Sequence, residues 1–100
     1  MNGPDVVAGF AWYRREQWAR LRELASDRDK LDNSYDEWLA GAQKALLATA
    51  LAGVSAKRVD VDVDALFRWC QAEGRSVDSA ARAAFVAKEL RQADQGRRQR

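Results

Sequence analysis

Apolar residues recur at a helical spacing over most of the chain. Phe10, Tyr13, Trp18, Leu21, Leu24 and Ala25, with Gln17 among them, fall on one face at a period of about 3.6 residues. This predicts a first helix that starts between Phe10 and Tyr13 and runs to about Asp27. Trp12 points nearly opposite Leu21, so it either precedes the helix proper or faces solvent. Residues 27–33 form a charged connector with Leu31 as its one apolar anchor. Ser34-Tyr35-Asp36-Glu37 then reads as a capping box, in which the Ser34 hydroxyl serves a free N–H and Glu37 reaches back. Its acidic pair also suits the positive end of a helix.

The second helix carries Tyr35, Trp38, Leu39, Ala42, Ala45, Leu46 and Thr49 as one stripe. Leu47 and Leu51 lie off it, so the later half is apolar almost all round. Such a helix is expected at the centre, covered on more than one side. It predicts Leu46 as a core hub, and Gly53 is the expected stop.

The pattern then changes. Val59, Val61 and Val63 alternate with Asp60 and Asp62, a period of two in β-branched residues. This is the one strand-like run, near 57–63. A lone strand leaves backbone groups unpaired. It pairs with an extended N-terminal piece around Val6-Val7, pairs with its copy in a homodimer through Val59–Val63, or remains an extended linker. Asp64 is the expected cap of a third helix, Ala65 to Glu73, with Gly74 past its end. Ser76 or Asp78 caps a fourth, roughly 78–93. Its apolar side reads as Ala80, Ala83, Ala84, Val86, Ala87 and Leu90, with Phe85 off the stripe. The fold class is therefore mainly α: a single compact four-helix domain over 10–93 with one short extended segment. Residues 1–9 are expected to be loose, and 94–100 a basic disordered tail.

Composition supports this and narrows the chemistry. Of 100 residues, 47% are apolar, and nineteen of these are alanine, a strong helix former. There is no histidine, so the commonest general base and metal ligand is missing. The single cysteine, Cys70, has no histidine to activate it and sits beside Trp69, which reads as core. No phosphate-cradling glycine loop is present. Asp60, Asp62 and Asp64 share a spacing that a hard cation can use, but the glycine and distal glutamate of a calcium loop are absent. No catalytic residue, cofactor or metal site is therefore expected, and the chain reads as a non-enzyme. The formal charge is +2. Arg91, Arg97, Arg98 and Arg100 against Asp94 put +3 in the last ten residues, which leaves −1 elsewhere. No secretory leader or membrane span stands out, so the expected setting is cytoplasmic, with no membrane partner.

Four tryptophans are expected mostly inside: Trp18, Trp38 and Trp69. Trp12 differs. With Tyr13, Arg14 and Arg15 it forms a candidate partner-binding patch, because Trp, Tyr and Arg dominate binding hot spots. The leading functional expectation is a non-catalytic protein-interaction or accessory module.

Two resemblances add to this. Residues 57–93, as strand, short helix, Gly74-Arg75-Ser76 turn and second helix, resemble the ribbon-helix-helix DNA-binding pattern. That resemblance implies a DNA-binding regulator, with Lys57, Arg58, Arg75 and Ser76 as the nucleic-acid contacts. Asp60 and Asp62 depart from it, since they stand at outward strand positions and carboxylates repel phosphate. The combination of Trp18, Ser34 to Leu39, Val59 to Val63, Trp69-Cys70 and Ala81-Arg82-Ala83 is similar to small Trp-rich bacterial hypothetical proteins. That similarity implies a bacterial cytoplasmic origin and assigns no site residues.

Overall fold

A computed structural model describes the backbone of residues 7–98 and the side chains of residues 7–93. The chain is mainly α, with four α-helices and two short parallel strands among the described residues. The order is β1 (Val7–Trp12), a 3-10 turn (Arg15–Gln17), α1 (Trp18–Leu24), a second 3-10 turn (Arg28–Lys30), α2 (Tyr35–Leu51), β2 (Ser55–Asp60), α3 (Val63–Glu73) and α4 (Ser79–Arg98).

The first helix is shorter than its spacing predicts. Phe10 and Trp12 belong to a strand, and residues 7–9 are part of it. Phe10, Tyr13 and Gln17 fit a helical period, but β2 supplies a ladder that a helix there would forgo. Val7 pairs with Ser55 and Trp12 with Asp60, in parallel. Of the partners considered for the valine run, the N-terminal one is realised, although Val6 itself lies outside the described residues. Trp12 therefore precedes the helix.

The valine run also ends earlier than its alternation implies. β2 stops at Asp60, and Val61 and Val63 turn into the core at 4% and 1% exposure. The α3 cap moves with it. Asp62, not Asp64, accepts from the amides of Asp64 and Ala65 at 2.9 and 3.1 Å. Gly74 closes α3 in the left-handed conformation, at φ 66°.

The strand pair lies between two helices. A Cβ on Gly9 would strike Leu90 Cδ1 and come within 2.9 Å of Val86 Cγ1, so α4 covers one face at close range. Trp12, on the opposite face, packs against Trp38 of α2 at 5.5 Å between ring centroids. Covering both faces is the usual requirement of a parallel sheet.

The core is built from Trp18 and Leu21 of α1, Val63, Leu66 and Cys70 of α3, and Ala81, Phe85 and Val86 of α4, joined by Tyr13, Val61 and Val77. Phe85 is buried, while Ala80, Ala83 and Ala87 are exposed. The α4 face is thus rotated from the alanine stripe, because Val77, Ala81 and Phe85 recur one turn apart and bury more area. The helix also continues through Arg98, into the stretch expected as tail.

The hub expectation for α2 is overturned. None of its residues is buried, and Leu46 is only half-buried. Leu47 and Leu51 are 60% and 79% exposed. One side of α2 meets the sheet and the aromatic residues, and the other has no cover among the described residues.

Candidate interaction surface

The proposed patch at Trp12, Tyr13, Arg14 and Arg15 is divided between interior and surface. Tyr13 is 4% exposed and cannot itself meet a partner. Burial pushes its phenol up to about 12, with Arg82 pulling down and Asp27 adding to the rise. Trp12 is half-buried. Arg14 and Arg15 are exposed, but Arg15 is held at 2.7 Å from the Asp36 carboxylate and lies 4.7 Å from the Tyr35 ring centroid. The reason for the division is an aromatic cluster centred on Trp38. Its ring lies 5.3–5.5 Å from those of Trp12, Tyr13, Trp18 and Tyr35. The Tyr35 hydroxyl donates to the Tyr13 carbonyl at 2.8 Å, which fixes the chain where β1 gives way to α1. The Ser34 cap sets the start of α2 for this contact. Its hydroxyl accepts from the Glu37 amide at 3.1 Å and donates to the Glu37 carboxylate.

The basic residues expected at DNA form two separate groups. Lys57 and Arg58 lie on β2, with the exposed carboxylates of Asp60 and Asp62 close by in the chain. Arg75 and Ser76 lie beyond the far end of α3, about 16 Å away along its axis. Arg75 stands over the Trp69 ring at 5.5 Å.

Two cavities open near these elements. One of about 290 Å³ sits at the carboxyl ends of both strands, lined by Trp12, Arg14, Asp60, Val61 and Asp62. With its amide oriented to satisfy both neighbours, Gln17 donates to the Val61 carbonyl at 2.9 Å and accepts from Arg14 at 2.8 Å. The other, about 700 Å³, is bounded by Trp18, Ala19, Arg22, Glu23, Arg28 and Asn33. Its arginines serve the backbone. Arg22 donates to the carbonyl of Asp32 at 2.6 Å, and Arg28 to those of Arg22 and Glu23 at 3.2 Å. Among the described residues, no three His, Cys, Asp or Glu side chains are grouped to hold a metal. Cys70 is buried, and desolvation pushes its thiol above the usual value, which disfavours the thiolate.

Sequence reasoning missed a pair far apart in the chain. Arg82 of α4 grips Asp27 through two bonds of 2.8 and 2.9 Å, with both side chains only 12% exposed. Asp27 also accepts from the Ser79 amide at 3.1 Å. The Arg82 hydrogen bonds hold the Asp27 carboxyl below its ordinary value, against the opposing effect of burial. This clamp joins the charged connector to the start of α4. Both groups are occupied by each other, so the geometry is structural.

What the fold leaves open is the edge of β2. The Val61 amide donates to the Trp12 carbonyl at 3.0 Å. In a parallel ladder with Trp12 opposite Asp60, this places the backbone groups of Lys57 and Val59 toward β1. Those of Ala56, Arg58 and Asp60 then point the other way. Among the described residues no other element hydrogen-bonds to them. No helix among the described residues is long and apolar enough to cross a membrane. No protein-family model, curated protein or solved structure matches this chain.

Proposed function

We propose that the chain is a non-catalytic protein-interaction module that engages a second copy of itself. The observation that carries this reading is α2. It is a 17-residue helix with no buried residue, and it presents Leu47 and Leu51 to solvent. Large apolar side chains grouped on a helix face favour burial against a protein surface. The open edge of β2 directly follows α2 in the chain and adds unpaired backbone donors and acceptors. The free cysteine fits a reducing, cytoplasmic setting.

Sedimentation equilibrium of the full chain tests the reading. A dimer is expected, and Leu47→Glu with Leu51→Glu should dissociate it while leaving the helical circular dichroism unchanged. A monomer up to roughly 100 μM would overturn the reading.

A further inference from the structure

We infer that two copies join through antiparallel pairing of their β2 edges, with Val59 on the two-fold axis. This deepens the self-association reading and rests on it. A strand pair exposes one row of backbone groups per edge, and two strands alone are marginal as a sheet. Pairing β2 with its copy gives four continuous strands, β1-β2-β2-β1, and satisfies the outward groups of Arg58 and Asp60.

The register follows from the pattern of bonds and charges. A two-fold antiparallel pair that engages at least two of the outward residues of each strand can centre on Lys57, Arg58 or Val59. Centring on Lys57 places two ammonium groups opposite each other, and centring on Arg58 places two guanidinium groups there. Like charges directly opposite destabilise a ladder. Centring on Val59 instead places Arg58 of each copy opposite Asp60 of the other. Arg58 and Asp60 are both exposed, and Asp60 has no ion-pair partner among the described residues. Arg58 is already steadied by the Trp12 ring, 4.7 Å from its guanidinium carbon. The two Val59 side chains then meet as a β-branched pair in the closer, non-hydrogen-bonded position, with Cα atoms about 4.5 Å apart. The occupant that this edge fits is its own reversed sequence.

Charge exchange tests the pairing in the full chain. Arg58→Asp alone places carboxylates opposite one another, and Asp60→Arg alone does the same with guanidinium groups. Each should weaken the dimer by about tenfold or more. Arg58→Asp combined with Asp60→Arg restores opposite charges and should return affinity to within about threefold of the parent. The Trp12 stack is lost in the double variant too, so rescue isolates the cross-strand pair. Val59→Cys provides a positional test, because Cα atoms this close allow a disulfide. Mild oxidation should give a covalent dimer. Ser55→Cys should give none, since its two copies would stand about 26 Å apart along the strands. A dimer that ignores the charge changes and does not cross-link at Val59, yet dissociates with Leu47→Glu and Leu51→Glu, would overturn the edge pairing and leave the self-association reading intact. A monomer throughout would overturn both.

Discussion

α2 and α3 are both helices with a sound N-terminal cap and apolar residues along their length, yet they are buried very differently. Within its eleven residues α3 buries Val63, Leu66 and Cys70. α2, longer by half a dozen residues and apolar almost all round in its second half, buries none. The difference lies in what surrounds them. α3 is wedged against α1 and α4, and its polar residues fall on one side and mark the other as the inner face. Among the described residues, α2 is packed from one side only, by the sheet and the aromatic cluster. Apolar content alone does not bring a helix to the centre. A stripe bounded by polar residues, with elements on both flanks, does.

The sharpest way to break this comparison is to shorten a leucine in each helix. Leu66→Ala removes a side chain with 0% exposure and should cost about 2–5 kcal/mol in urea melts. Leu51→Ala, at 79% exposure, should cost under about 0.5 kcal/mol in the monomer. Equal losses would restore α2 as a hub.

The Asp27–Arg82 clamp anchors the buried side of the molecule and gives the next largest effect. Asp27→Asn should destabilise by about 1.5–3 kcal/mol, because it weakens charge-assisted bonds and leaves Arg82 half served. The folded carboxyl titrates below its unfolded value. Its contribution is therefore complete above the unfolded value of about 3.9 and is lost as pH falls below that, through the folded one. Acid titration of stability should be correspondingly flatter in Asp27→Asn. An unchanged acid slope would show that the clamp contributes nothing.

Glycines give the smallest and most local contrast. Gly41 on α2 has nothing within 4 Å of an added Cβ. Gly41→Ala should therefore raise stability by roughly 0.5–1 kcal/mol. Gly9→Ala meets Leu90 and Val86 and should lower it, because α4 must move away from β1. Thermal melts showing a loss for Gly41→Ala as well would place α2 inside rather than outside the fold.

These contrasts also show which features the sequence carried openly. The Ser34 cap was readable because its partner, Glu37, is three residues away. Gly74 was readable because a left-handed helix end favours glycine. The strand character of the valine run was readable from its alternation, though not its end at Asp60, which depends on Val61 and Val63 finding the core. β1 was hidden, because Phe10, Tyr13 and Gln17 fit a helical spacing and the deciding partner lies almost fifty residues later. The Asp27–Arg82 clamp is separated by 55 residues, and nothing local distinguishes Asp27 from Asp29 or Asp32. In the candidate patch Arg14 and Arg15 are exposed, whereas Tyr13, which also falls on the apolar stripe read for the first helix, is buried against the Trp38 cluster. The open β2 edge could not be read at all until the pairing with β1 fixed which backbone groups point outward.

Amide hydrogen exchange across a concentration series tests the central claim most directly. The amides of Lys57, Val59 and Val61 bond to β1 within one chain and should be protected at every concentration. Those of Arg58 and Asp60 should exchange fast in dilute protein and slow progressively as the second copy covers the edge. Fast exchange of these two at every concentration would contradict the account.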